Sequence, residues 1–223
     1  MSHDVYALPE GLPVPEDDGA SDHLAGLELP ELTLASSLGD VNVRDFDVIY
    51  IYPRSGRPGV PLLPGWDETP GARGCTPQSC AFRDAHGDLA ALGVRVAGLS
   101  AQSLEDQLEF AERNAMPFPV ISDPERRLGE ALTLPMFEIA GLTLYKRLTL
   151  VAQDARIVKV FYPVFPPDTN AGDVLAWLRG RWDSSRTKRA RSDGSTATRS
   201  SGLMSRPCAS TSSAAVRTMP ASA

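Results

Sequence analysis

Two cysteines that lie close together carry the clearest chemical signal in this sequence. Cys75 and Cys80 are five positions apart, where a predicted helix begins shortly after a predicted strand. The thiolate is the reactive form of cysteine, and a free thiol with a pKa of about 8.5 is mostly protonated at neutral pH. The first turn of a helix presents N–H groups and the positive end of the helix dipole, which favour an anion. We therefore predict that Cys75 is an activated thiol.

The spacing of the two thiols also predicts how they can pair. Five helical residues rotate by about 500° and rise by about 7.5 Å, which places Cys80 on a different side of the helix from Cys75. A disulfide requires Cα atoms within about 7 Å and converging Cβ atoms. If the segment is helical when reduced, its first turn must unwind before the bond can form. A disulfide that forms only after local unwinding is typical of a catalytic disulfide.

The two cysteines also allow interpretations other than redox chemistry. A buried cysteine often behaves as an inert, small hydrophobic residue, and this stays open for each thiol taken alone. Structural zinc takes four cysteine or histidine ligands at short spacings, whereas the three histidines (His3, His23 and His86) are scattered along the chain. The sequence contains no catalytic-triad, Walker-type or dinucleotide-binding motif. We expect no metal and no cofactor.

Composition describes an acidic globular protein. The 223 residues are 42% hydrophobic and 22% charged, with a net charge of −6, which argues against nucleic acid as the main partner. No apolar run approaches the roughly 18 residues of a membrane-spanning helix, so we expect no membrane partner. Three cysteines are too few for a secreted disulfide scaffold, and no signal peptide is recognisable. We therefore expect a cytoplasmic location.

Charge and composition divide the chain into three parts. Residues 1–24 contain six acidic and no basic residues, and we predict a flexible acidic arm. Residues 25–183 form the predicted folded domain. Residues 184–223 contain seven basic residues and one acidic residue among Ser, Thr and Ala, so we predict a disordered basic tail. Cys208 lies in this tail and is interpreted as a bystander.

The elements around the cysteines alternate between strands and helices. A hairpin is predicted over residues 29–43, strands over 48–52, 94–99, 119–122, 147–151 and 157–161, and helices over 76–92, from 103, over 125–132 and over 169–182. In the helix that begins at 103, we assign Leu104, Leu108 and Ala111 to the buried face. This order predicts an α/β fold, with a central mixed β-sheet flanked by helices on both faces. Residues 54–68 are too rich in Pro and Gly for a regular element.

The segment from Pro70 to Asp84 resembles the active-site segment of peroxiredoxins. The nearest type is the bacterioferritin-comigratory one, whose pattern is Pro-Gly-Cys-Thr-x-x-x-Cys-x-Phe-Arg-Asp. The similarity extends over roughly residues 27–182, and the double-cysteine motif is specific. The resemblance implies a thioredoxin-like fold and an enzyme that reduces hydrogen peroxide and organic hydroperoxides.

The same resemblance assigns roles to individual residues by position. Cys75 looks like the peroxidatic cysteine, which becomes a sulfenic acid, and Cys80 looks like the resolving cysteine. Thioredoxin or a similar dithiol would then reduce the disulfide. Arg147 aligns with the active-site arginine that holds the thiolate and the peroxide, although a solvated charge at a strand end is its alternative. We expect a monomer or a weak homodimer.

The sequence departs from the family pattern just before the cysteine. The pattern Pro-x-x-x-Thr-x-x-Cys would place its threonine at Ala72 and its proline at Glu68. We interpret Pro53 and Thr69 as the displaced counterparts, separated by an inserted loop. Thr69 is predicted to fold back toward the peroxide, with an ordinary turn threonine as the alternative.

Two other functions remain open. A thiol–disulfide oxidoreductase on the same fold normally uses Cys-x-x-Cys, a spacing that this chain lacks. A non-catalytic thioredoxin-like binding module could present Trp66 to a partner from the loop 54–68. Rapid oxidation of the reduced protein by hydrogen peroxide separates the peroxidase from both.

Overall fold

The structure is a computed structural model and describes residues 4–192. Its strands are β1 (Thr33–Leu34), β2 (Val41–Asn42), β3 (Val48–Ile51), β4 (Val96–Ser100), β5 (Val120–Ser122), β6 (Met136–Ile139), β7 (Leu142–Tyr145), β8 (Leu148–Gln153) and β9 (Arg156–Phe161). Its α-helices are α1 (Cys75–Asp84), α2 (His86–Ala91), α3 (Leu104–Arg113), α4 (Arg127–Leu132) and α5 (Asn170–Ser192). Among the described residues, no helix combines the length and the hydropathy that crossing a membrane requires.

The main sheet has five strands in the order β5-β4-β3-β8-β9. Strand β3 pairs in parallel with β4, and β4 in parallel with β5, whereas β8 is antiparallel to both β3 and β9. The predicted central mixed sheet is therefore confirmed. The predicted hairpin over residues 29–43 is present as the antiparallel pair β1 and β2.

Alternate residues of β3 pack into two hydrophobic cores, one on each face of the sheet. Ile49 and Ile51 pack in the core that contains Leu128 and Leu132 of α4. The opposite core contains Val48 and Tyr50 with side chains from the other four helices, namely Phe82 of α1, Leu89 of α2, Phe110 of α3 and Val174 of α5. Helices therefore cover both faces of the sheet, as predicted.

An aromatic stack seats α1 on the sheet. The rings of Tyr50 and Phe82 have centroids 4.4 Å apart and are nearly parallel, at 7°. Offset aromatic pairs contribute about 0.5–1.5 kcal/mol beyond the area they bury. Gly98 on the neighbouring strand leaves room for this stack, because a Cβ at that position would lie 2.5 Å from Tyr50 Oη. The stack packs the second half of α1 against the central strand.

Several predicted elements need correction. The helix predicted over 76–92 is divided into α1 and α2, and the hairpin of β6 with β7 was not predicted. The buried face of α3 consists of Gln107, Phe110 and Ala111, so the predicted burial of Leu104 and Leu108 is wrong. Residues 54–68 contain turns and no helix or strand, as predicted.

Described structure reaches into both end segments of the chain. In the predicted acidic arm, Leu24 is fully buried in the core that contains Ile49 and Leu128, and His23 Nε2 lies 2.9 Å from the Leu132 carbonyl oxygen. Helix α5 extends past its predicted end at residue 182, into the segment that was predicted to be disordered. Residues 193–223, with Cys208, lie outside the described residues, so the disorder predicted there stays a prediction.

Candidate active site

Cys75 is the first residue of α1 and is only 4% exposed. The residue before it, Gly74, caps the helix in the left-handed conformation, with φ +93°. A Cβ on Gly74 would also lie 2.2 Å from Pro167 Cγ, so both the backbone and the packing require glycine. The predicted position of Cys75 in the first helical turn is confirmed, and its thiol lies at the positive end of the helix dipole.

The guanidinium of Arg147 directly contacts this thiol. Arg147 lies between β7 and β8, is 3% exposed, and its Nη2 donates to Cys75 Sγ at 3.1 Å. The same nitrogen lies 2.9 Å from the carbonyl oxygen of Arg73 and 3.2 Å from that of Gly71. The alternative of a solvated charge at a strand end is therefore wrong for Arg147. A buried cation in contact with sulfur stabilises a thiolate.

A network of buried polar side chains orients the guanidinium of Arg147 through its other terminal nitrogen, Nη1. Gln78 Oε1 accepts a hydrogen bond from Arg147 Nη1. Gln78 Nε2 in turn donates to Asn170 Oδ1 at 2.9 Å, and Thr149 Oγ1 donates to the same oxygen at 2.6 Å. Gln78, Thr149 and Asn170 are fully or almost fully buried. Sequence analysis missed them, although the three-residue spacing of Cys75 and Gln78 could have placed both on one face of the helix.

Further positive charge surrounds the cavity that Cys75 lines. Arg54 and Arg73 line the same cavity of about 20 Å³. Arg73 is largely buried, and its Nε lies 3.2 Å from Asp67 Oδ1 in an ion pair that lacks hydrogen-bond geometry. The site therefore combines a cysteine sulfur with nearby positive charges, which favour the anionic form of a nucleophile.

Cys80 has a different environment on the same helix. It is half-buried, and its Sγ lies 3.9 Å from Asn114 Oδ1. Burial raises the pKa of the Cys80 thiol above its usual value, and the positive charge of Arg83 opposes this only in part. Both cysteines are free thiols within α1, so a bond between them requires that helix to unwind, as the spacing predicts.

Thr69 faces a different cavity from that of Cys75. Its hydroxyl donates to the Gly65 carbonyl oxygen at 2.7 Å, within the turn that precedes the cysteine. Thr69 and Arg147 both line a cavity of about 420 Å³. In this structure the threonine makes the hydrogen bond of an ordinary turn residue, and a role toward peroxide requires its hydroxyl to leave Gly65.

Trp66 is buried and not presented to a partner. It is 5% exposed and packs in a small apolar cluster with Ala72, Ile139 and Leu144, and its ring lies 6.5 Å from that of Phe137. The suggested role of Trp66 as an exposed recognition residue is therefore wrong. The loop 54–68 instead uses this side chain to attach itself next to the active site.

The part of the chain that the structure describes contains no cluster of three or more His, Cys, Asp or Glu residues able to hold a metal ion.

Comparisons with known proteins find similar sequences. Residues 67–160 match the model of the AhpC/TSA family. Peroxiredoxin Bcp from Bacillus subtilis is 33% identical over 163 residues, which cover 69% of this chain and 94% of that protein. A putative chloroplastic peroxiredoxin Q from Oryza sativa subsp. indica is 30% identical over 152 residues, covering 67% of this chain and 68% of that protein.

Solved structures share the fold. The structure of peroxiredoxin Q from Xanthomonas campestris superposes with a TM-score of 0.55 at 25% identity, over 70% of this chain and 97% of that one. Peroxidoxin BcpB from Mycobacterium tuberculosis gives a TM-score of 0.56 at 23% identity, over 70% and 96%. The predicted thioredoxin-like fold is confirmed.

Proposed function

The chain belongs to the AhpC/TSA family, the peroxiredoxins, and from this premise we propose that it reduces hydroperoxides with Cys75 as the peroxidatic cysteine. The observation that carries the proposal is the contact of 3.1 Å between Arg147 Nη2 and Cys75 Sγ at the N-terminus of α1. A guanidinium and a helix dipole aimed at one sulfur hold it as a nucleophile. Our proposed substrates are hydrogen peroxide and organic hydroperoxides.

The first step is attack by the Cys75 thiolate on an oxygen of the hydroperoxide. A sulfur–oxygen bond forms and the oxygen–oxygen bond breaks, which leaves a sulfenic acid on Cys75 and releases hydroxide or alkoxide. Arg147 Nη2 stabilises the sulfur before attack. The Nε–H of the same guanidinium is buried without a partner among the described residues, so it is available to an oxygen on which charge develops.

We propose Cys80 as the resolving cysteine. Its thiol condenses with the sulfenic acid, forming a sulfur–sulfur bond and releasing water. The first turn of α1 has to open for this step, because a helix keeps the two Cα atoms too far apart. In the fully folded state the raised pKa keeps Cys80 protonated at neutral pH, so the two thiols differ in reactivity until the helix opens.

A dithiol such as thioredoxin is the proposed reductant. Each cycle transfers two electrons from the dithiol to the Cys75–Cys80 disulfide by thiol–disulfide exchange, which restores both thiols and oxidises the dithiol. The competing proposal of a thiol–disulfide oxidoreductase lacks support, because the chain has no Cys-x-x-Cys pair and Cys75 is too buried to meet a protein disulfide directly.

The test is a stopped-flow reaction of the reduced protein with hydrogen peroxide. Wild type should form the sulfenic acid orders of magnitude faster than a free thiol, and Cys75→Ser should lose this phase completely. Arg147→Lys keeps the charge but loses the planar guanidinium, and should slow the phase by about 100-fold. Oxidation of wild type no faster than that of a free thiol would refute the proposal.

A further inference from the structure

Residues from the N-terminal arm and from the loop 54–68 meet beside Cys75. The small cavity of about 20 Å³ that Cys75 lines is also lined by Val5 and Ala7 from the arm and by Leu62 and Trp66 from the loop. The family model begins at residue 67, and the arm also lies outside the longer resemblance over residues 27–182. Residues 5–18 are called the strap from here on. The strap therefore adds a wall from outside the family resemblance to the surroundings of the reactive cysteine.

The front of the strap packs directly on the start of α1. A Cβ built on Gly74 would lie 2.8 Å from Leu8 Cδ2, which shows how closely this leucine approaches the residue before Cys75. Tyr6 is attached to α3, because Arg113 Nη1 donates to its hydroxyl at 3.1 Å. These contacts hold the residues on either side of Ala7 against the rim of the active site.

The rear of the strap is anchored beside Arg147. Pro15 lies against Gly71, where a Cβ would be 3.6 Å from Pro15 Cγ. The carboxylate of Asp18 accepts hydrogen bonds from Lys146 Nζ at 2.6 Å and from the Tyr162 hydroxyl at 2.7 Å. The strap is therefore attached at both ends, and it crosses the site between them.

We propose that the strap makes Cys75 selective for small hydroperoxides, an inference that rests on the proposed function. A cavity of about 20 Å³ has room for roughly one water-sized molecule. Hydrogen peroxide is close to that size, whereas the branched aryl group of cumene hydroperoxide cannot enter without displacing Val5, Ala7 or the facing side chains Leu62 and Trp66. The strap thus raises the barrier for bulky substrates and leaves the reaction with hydrogen peroxide nearly unchanged.

The experiment compares the rate constants for oxidation of Cys75 by hydrogen peroxide and by cumene hydroperoxide. In the full chain, Leu8→Asn places an uncharged amide against Gly74 and should lift the strap without a new charge beside the thiolate. We expect it to raise the rate constant for cumene hydroperoxide by about tenfold or more, and to change that for hydrogen peroxide by less than about threefold. The control is Leu38→Asn, the same exchange at a 63% exposed leucine on the turn between β1 and β2, which should change neither rate.

A second variant protects the test against misfolding. Val5→Gly removes one wall of the cavity without adding charge, and should shift the ratio of the two rate constants in the same direction. A wild type that reacts equally well with both peroxides would overturn the proposal, because the cavity of about 420 Å³ beside Arg147 would then admit bulky substrates. Equal acceleration of both reactions by the strap variants would also overturn it.

The outcome distinguishes this inference from the proposed function. If wild type is oxidised fast by hydrogen peroxide, the peroxidase function is supported. If the strap variants then leave the ratio of the two rate constants unchanged, selection by the strap is refuted. No oxidation faster than that of a free thiol by either peroxide refutes both.

Discussion

Gln78 Oε1 accepts a hydrogen bond from Nη1 of Arg147, and this bond turns the other end of the guanidinium toward Cys75. The pair spans 69 positions of sequence and is buried on both sides. Gln78 is itself held through Asn170, so the orientation of the guanidinium depends on a network and not on Arg147 alone. We regard Gln78 as a positioning residue, since it acts on the sulfur only through Arg147.

Replacement of Gln78 tests this positioning role. Gln78→Ala should lower the rate constant for oxidation of Cys75 by hydrogen peroxide by about tenfold, because the guanidinium loses the acceptor that fixes its plane. Thr149→Val is the graded comparison, since it removes a buried hydrogen bond to Asn170 one step further from Arg147 and leaves the bond from Arg147 to Gln78. Both variants should lower the thermal midpoint, and Gln78→Ala should slow oxidation more than Thr149→Val does. Equal loss of rate in the two variants would show a general packing effect.

Replacement of Cys80 separates attack from resolution. Cys80→Ser should form the Cys75 sulfenic acid within about twofold of the wild-type rate and then form no intramolecular disulfide, since the Cys80 thiol lies beside Asn114 and the guanidinium of Arg147 contacts Cys75. Mass spectrometry after a peroxide pulse, with dimedone to label sulfenic acid, measures both products. An internal disulfide trapped in Cys80→Ser would rule out Cys80 as the resolving residue.

A pair of glycines offers a matched test of the helix start. Gly74→Ala should destabilise the protein by at least about 2 kcal/mol, because alanine disfavours the left-handed region and its Cβ would lie 2.2 Å from Pro167 Cγ. A Cβ on Gly87 in α2 would have no neighbouring atom within 4 Å. Gly87→Ala should therefore be neutral or stabilise the protein by up to about 1 kcal/mol. Urea unfolding measures both. Equal stability of the two variants would mean that the packing of Gly74 against Pro167 is not maintained in solution.

The anchor of the strap predicts a dependence of stability on pH. Hydrogen bonds from Lys146, and then from Tyr162 and the Ala20 N–H, hold the pKa of Asp18 well below its usual value of 3.8. A depressed folded-state pKa contributes stability above the unfolded-state value, and this contribution is lost as the pH falls below about 3.8. Wild type should therefore exceed Asp18→Asn in urea midpoint at pH 6, and the difference should shrink toward pH 2. A difference independent of pH would exclude the charge of Asp18 as its source.

Much of the fold followed from local patterns. The run from Val48 to Tyr52, β-branched and aromatic, correctly predicted a strand buried on both faces. Helix α3 shows where the pattern failed, because Gln107 is buried in place of the predicted Leu104 and Leu108. Its amide accepts from the Tyr52 hydroxyl at 2.8 Å and donates to Ser100 Oγ at 2.8 Å. Hydropathy assigns a glutamine to the surface, and only these distant partners remove the cost of burying it.

The sequence by itself determined the chemistry at the centre of this protein. The types and spacing of Cys75 and Cys80, and the start of the helix at the first thiol, are local properties. Helix starts and side-chain periodicity depend on neighbouring residues. They were enough to predict an attacking thiol and a disulfide that requires unwinding.

Only the tertiary structure decided what surrounds the sulfur. The contact of Arg147 with Cys75, the support from Gln78, the turn bond of Thr69 and the strap across the site join residues far apart in the chain. Such contacts depend on how whole elements pack, and a sequence pattern records the residues but not which of them meet. The same physical reason explains why an acidic segment that reads as a free arm forms a wall of the active site.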